Sequence, residues 1–172
     1  MNESTELEAS AMHEAGHAVV HWLFRHQLVK IVVEPSGGGW CRLADDQHRD
    51  GDTDSVVRAV VSQFLMQKLI SDAAGKAVED RRRGFVEQDW QSGRCGGDYE
   101  RAVKTALHLS GGSDRIAAEH LVRWGECMAR MIIERHWLKV ERLAAAAVKK
   151  QKATGINEFY AAEILQVLSG RP

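Results

Sequence analysis

Apolar residues recur at helical spacing from the start of the chain. Leu7, Ala11, Met12, Ala15, Ala18, Val19, Trp22 and Leu23 repeat every three to four positions. The capping-box spacing of Thr5 and Glu8 starts this helix near Ser4 or Thr5, and it runs to about Arg25. The period then changes. Leu28–Glu34 is rich in β-branched residues and ends at Pro35, and the turn signal Ser36-Gly37-Gly38-Gly39 precedes a return segment, Trp40–Leu43. One small β-hairpin is the expectation. Asp45–Asp54 reads as a solvated acidic loop. Helical spacing resumes near Ser55 and continues through Arg83, with Gly75 as the expected break. Gly84–Gly97 is glycine-rich, irregular and too long for a simple connection. Further helices are expected over Asp98–Leu109, about Asp114–Arg135 and about Trp137–Lys152, with Gly111-Gly112 between the first two. A short last helix, Asn157–Leu168, has Asn157 as its expected N-cap.

Composition strengthens this outline. No proline lies between Pro35 and Pro172, which suits a helical body, because proline is the costliest residue inside a helix. At 172 residues, with no repeat, low-complexity tract or linker, a single domain over residues 1–172 is expected, mainly α with the hairpin inserted early. Lys and Arg number 23 against 24 Asp and Glu, so nothing in the charge points to nucleic acid or anionic lipid as a partner. The longest apolar run, Leu143–Val148, is far shorter than the ~18 residues of a membrane span. Met1–Ser10 has neither the basic start nor the apolar stretch of a signal peptide. Cys41, Cys95 and Cys127 are odd in number and form no CxxC pair, so a reduced, cytoplasmic compartment is expected. The tryptophans read as core or hairpin anchors, except Trp90, whose glycine-rich loop could bring it to a ligand.

The chemistry lies in His13-Glu14-Ala15-Gly16-His17, an HExxH pattern. Residues four apart stack on one helix face, so both imidazoles can reach one metal ion. Glu14 lies about 100° around the helix, displaced towards the open side of such an ion, where it can relay a proton. With 8 histidines in the chain, the pattern should arise by accident only about 0.03 times in a sequence of this composition. His21 continues the series, but it is about 12 Å from His13 along the axis, too far for one zinc with ~2 Å bonds. It is expected to be a partly buried polar side chain, and His26, His48, His108, His120 and His136 to lie on the surface.

A third protein ligand is needed, and spacing does not choose it. Glu79 and Asp80, Asp98, and the acids of Asp45–Asp54 are the candidates, the loop acids being the worst positioned. Asp98 follows Gly96-Gly97 and begins a helix, where an aspartate also serves as an ordinary N-cap. Cys95, three residues earlier, could offer a thiolate or be a small apolar residue. Arg81-Arg82-Arg83 suits the C-terminal end of a helix dipole.

Taken in order, these segments resemble the zinc-peptidase domain of the FtsH-type family, the proteolytic half of membrane-bound AAA+ proteases. HEAGHAVV is similar to that family's HEAGHA run, and VKIVVEPSGGGWC resembles the strand and turn that follow. AAGKAVED resembles a segment of the next long helix, GGDYERAVKTA the segment that carries the third ligand, and ERHWLKVERLAAAAVKK with the final helix the closing helices. The likeness spans about Thr5–Leu168. It implies a mainly α zinc-peptidase domain with a small β-element, His13, His17 and Asp98 as ligands to one zinc per chain, and Glu14 as the catalytic base. It further implies Glu79 as an acid close to the histidines. Gly38, Gly39, Trp40, Cys41 and Arg42 would form the edge that binds substrate in extended form. The expected activity is that of a zinc metalloendopeptidase acting on a peptide or unfolded protein substrate. The family's ATPase module and membrane helices have no counterpart in this sequence. ATP-dependent threading is therefore not expected of this chain, and any ATPase would be a separate partner. The connection from Leu109 to Ser113 is shorter than the family's, and Gly84–Gly97 has its own sequence, so neither substrate preference nor ring assembly carries over. Two other readings fit the same motif: a regulatory protease for one partner such as a repressor, and a non-catalytic zinc-binding module acting through protein contacts.

Overall fold

A computed structural model describes residues 3–44, 55–84 and 95–170. In chain order these form α1 (Glu3–Leu23), β1 (Leu28–Val33), β2 (Gly39–Leu43), α2 (Ser55–Asp72), α3 (Ala74–Arg82), α4 (Gly96–Leu109), α5 (Arg115–Arg135), α6 (Trp137–Thr154), β3 (Glu158–Tyr160) and α7 (Ala161–Ser169). The protein is mainly helical with a small antiparallel sheet. The acidic stretch Asp45–Asp54, with His48, lies outside the described residues, as does Trp90.

The first helix is the spine of the core. Leu7, Ala11, Ala15, Ala18, Val19 and Val20 are buried, and α1 packs against α3 on one side and α6 on another. Alanine at three of these positions lets neighbouring helices come close, while each fully buried Val or Leu side chain contributes ~1.5–3 kcal/mol. From α6, Val140, Leu143, Ala144 and Ala147 meet it at the i, i+3, i+4, i+7 spacing expected of one helix face.

The hairpin forms as its sequence predicts, and a third strand joins it. Sheet order is β2-β1-β3, with β1 pairing Val33 to Gly39 and Val32 to Trp40 on one side and Ile31 to Phe159 on the other. This corrects the reading of Asn157 as a helix cap. Its carbonyl instead accepts from Val33 N at 2.9 Å, the chain stays extended through Tyr160, and α7 begins at Ala161 with Glu163 accepting from Tyr160 N at 2.9 Å. Phe159 is the reason, because the extended backbone turns its ring into the core. The helix break also moves. Ala73, not Gly75, separates α2 from α3, and Gly75 is helical.

Of the tryptophans expected as anchors, Trp22 and Trp137 are half-buried. Trp40 and Trp124 are instead 41% and 36% exposed. Among the described residues no helix is long and apolar enough to cross a membrane.

Candidate metal centre

The site is built where α1 passes the α2–α3 junction and the start of α4. His13 and His17, one turn apart, are each 6% exposed. Asp98 is buried beside them in the first turn of α4, three residues past the N-cap position of Cys95, so it does not cap the helix. The three ligand atoms converge: His13 Nε2 is 3.1 Å from His17 Nε2 and 3.0 Å from Asp98 Oδ2, and His17 Nε2 is 3.3 Å from the same oxygen.

The other nitrogen of each ring fixes its tautomer. His17 Nδ1 donates to the Ser71 carbonyl at 2.7 Å, and His13 Nδ1 faces Glu79 Oε1 at 3.0 Å. With both Nδ1 atoms protonated, two lone pairs and a carboxylate oxygen point at one another. That cluster repels itself unless a cation or extra protons sit among the three atoms. Adjacent ligands of a tetrahedral zinc with ~2.0–2.1 Å bonds lie about 3.3 Å apart, close to the separations seen. The donor set, the spacing and the fixed tautomers therefore fit a zinc ion.

The two imidazoles and Asp98 also shift one another's titration. Burial lowers the pKa of His13, but hydrogen bonds to Asp98, Cys95 and Glu79 outweigh it and hold the ring well above its ordinary value. For His17 burial is likewise outweighed, by the Asp98 carboxylate. Burial pushes Asp98 up, yet the two imidazoles and their hydrogen bonds bring it far below the usual carboxylate range. Glu14 is raised, chiefly by burial.

Two glycines make the site possible. A Cβ on Gly75 would lie 2.3 Å from His13 Cε1 and Nε2 and 2.7 Å from His17 Nε2, so only glycine lets α3 pass under the imidazoles. A Cβ on Gly39 would lie 2.8 Å from Glu14 Cγ and 2.6 Å from the Val32 carbonyl oxygen, so the start of β2 rests directly on the glutamate. Ser10 Oγ donates to the Gly38 carbonyl, fixing the hairpin turn to α1 one turn before Glu14.

The three converging atoms lie on a cleft of about 630 Å³. Glu14 lines it, as do Gly38, Gly39, Trp40, Cys41 and Arg42 of the hairpin and Lys68, Asp72 and Arg101 of the helices. β2 is an outer strand, since the sheet order leaves its second edge without a strand partner among the described residues.

Of the candidate third ligands, Asp98 is the one brought to both Nε2 atoms. Glu79 sits on the far side of His13, against Nδ1. Asp80 turns away and pairs with Lys76 at 2.6 Å. Cys95 is buried beside His13 and Glu79, off the face where the Nε2 atoms meet. His21 is buried and takes no part in the cluster; its Nδ1 lies 2.9 Å from His26 Nδ1. His26 is half-buried against Phe24 and Phe64 and bonded to Gln67, and His136 is half-buried at the end of α5, which corrects their expected surface placement. His108 and His120 are exposed.

Sequence reasoning missed the Ser71 carbonyl, which leaves no mark on residue identity. It also missed Asp72 and Arg101, although Arg101 lies three residues from Asp98, the spacing at which helical neighbours touch. No protein-family model matches this chain and no curated protein matches it, so the likeness to FtsH-type peptidases rests on its motifs and their order alone.

Proposed function

We propose that this chain is a zinc-dependent metalloendopeptidase acting on unfolded or flexible peptide segments. The observation that carries the reading is one cleft holding the His13–His17–Asp98 cluster, the buried Glu14 and the outer edge of a strand. His13, His17 and Asp98 would hold the ion, which when bound supplies an acidified water and polarises the scissile carbonyl. Glu14 would take a proton from the attacking water and pass it to the leaving amine. Its burial raises its affinity for the proton, which favours the first of these transfers. The β2 backbone over Gly39–Leu43 orients the substrate by strand addition, which reads main chain and leaves side chains open. Glu79 and the Ser71 carbonyl hold the imidazole rings.

An intact base sets this reading apart from a purely structural zinc module, which closes all four positions with protein ligands and has no use for Glu14. The three cysteines, all free thiols, suit a reduced, cytoplasmic compartment.

The deciding experiment is Glu14→Gln. Metal analysis should find about one zinc per chain in wild type and variant alike, while cleavage of unfolded casein without ATP should fall by at least about 10²-fold in the variant. Casein cleavage that persists in the variant, or a wild type that binds no zinc, would refute the proposal.

A further inference from the structure

Arg101, which lines the cleft with Asp98, is held by two carboxylates. Arg101, one turn along α4 from Asp98, gives Nη2 to Asp98 Oδ1 and Nε to Asp72 Oδ1, the latter at 3.4 Å. Asp98 therefore uses one oxygen on the imidazole cluster and the other on the guanidinium. Asp72, at the end of α2, is only 6% exposed, and its Oδ2 is buried with no hydrogen-bond partner among the described residues. Burying a carboxylate is costly, and Asp72 offsets part of that cost with two cations, Lys68 at 3.9 Å and Arg101, whose side chain is 54% exposed.

The planar guanidinium explains the choice of residue. Arginine carries five N–H groups in a fixed fork, so two can be tied to separate carboxylates while others stay free. Among the described residues Nη1 makes no hydrogen bond, and Arg101 lines the cleft next to Asp98. Glu14 occupies a different part of the same cleft, against Gly39. The site thus offers a proton acceptor at one place and a fixed cationic donor at another, with the metal-ligand cluster lining the same cleft.

We infer that Arg101 is a catalytic residue, the hydrogen-bond donor to the oxyanion that develops on the scissile carbonyl. This rests on the peptidase reading above. As the water oxygen bonds to the carbonyl carbon, the carbonyl π pair moves onto its oxygen, and the water proton passes to Glu14. The free Arg101 N–H groups donate to that oxygen, whose charge exceeds that of the ground-state carbonyl. When the carbonyl re-forms, the C–N bond breaks and Glu14 returns the proton to the amine. Asp72 is a positioning residue, holding the guanidinium in place before substrate arrives. Such preorganised donors typically contribute about 10²–10³ in kcat.

The test separates an oxyanion donor from a residue that merely steadies Asp98. Arg101→Leu and Arg101→Lys are compared with wild type for zinc affinity, by chelator competition. Affinity of the zinc-loaded proteins for a phosphinic pseudopeptide, whose tetrahedral P–O⁻ group mimics the oxyanion, is measured by calorimetry. Turnover of a casein-derived peptide completes the comparison. Arg101→Leu should weaken phosphinate binding to the zinc-loaded protein at least about tenfold more than it weakens zinc binding, and lower kcat about 10²-fold with KM little changed. Arg101→Lys, which lacks the fork, should recover only part of either loss. The inference fails if phosphinate affinity is unchanged, or if zinc affinity falls by the same factor. A zinc-loaded wild type that cuts no casein defeats the peptidase reading instead, while the phosphinate ratio still decides whether Arg101 binds an oxyanion.

Discussion

Gly75 shows how one residue can govern a site without offering it a single ligand atom. Its hydrogen lies where any Cβ would meet the His13 ring at 2.3 Å, and neither that ring nor α3 has room to yield, both being buried. Gly75→Ala should therefore weaken zinc binding at least about tenfold and cost ~1–3 kcal/mol of stability, read by chelator competition and denaturant melts. Gly97→Ala is the control, since its Cβ would meet only Arg101 Nη1, at 3.7 Å, so zinc affinity should hold. At this scale HEAGH was fully legible, because the i, i+4 spacing converts directly into two imidazoles on one face. Gly75 was not. Glycine marks both a helix break and a close approach, and only the ring packed above it distinguishes the two.

The helices then decide which acids reach the His13–His17–Asp98 cluster. Glu79 and Asp80 were equal candidates in the sequence, but neighbours on a helix point about 100° apart, so α3 can give the centre only one of them. Glu79 meets His13, while Asp80 turns to Lys76, a residue 7% exposed that also lies 3.7 Å from Glu126 on α5. The two acids should accordingly fail in different ways. Glu79→Gln should lower zinc affinity about 10-fold or more, because it slackens the ring that binds the ion, with little change in melting of the zinc-free protein. Asp80→Ala should leave zinc affinity intact and cost about 3 kcal/mol, because it strands a buried ammonium with only the longer Glu126 contact. Equal effects of both variants on zinc would contradict this division. The third strand was illegible for a related reason. Glu158–Tyr160 is too short to show a period, and its partner β1 lies more than a hundred residues earlier, so only the tertiary contact of Phe159 with the core selects strand over helix.

For the molecule as a whole, the question is whether the candidate ion supports the fold or only the chemistry. The core does not need it: α1 is packed on α3 and α6 by Ala11, Ala15, Val19, Val78, Val140 and Leu143, all buried through apolar contact alone. Zinc-free protein should therefore keep its helical circular dichroism and melt cooperatively. It should also melt earlier, because an ion that binds only the folded state stabilises it by mass action. At free zinc 100-fold above its dissociation constant that gain is about 2.7 kcal/mol, and at ~2–4 °C per kcal/mol for a domain of this size, chelation should lower the melting temperature by roughly 5–10 °C. Glu14→Gln should show the same difference between zinc-loaded and chelated protein, since it alters no ligand. Gly75→Ala should show about half of it or less, since binding weakened tenfold leaves only about 1.4 kcal/mol at the same free zinc. Loss of helicity on chelation, seen by circular dichroism at 25 °C, would make the metal structural and would undercut the assignment of this site to catalysis.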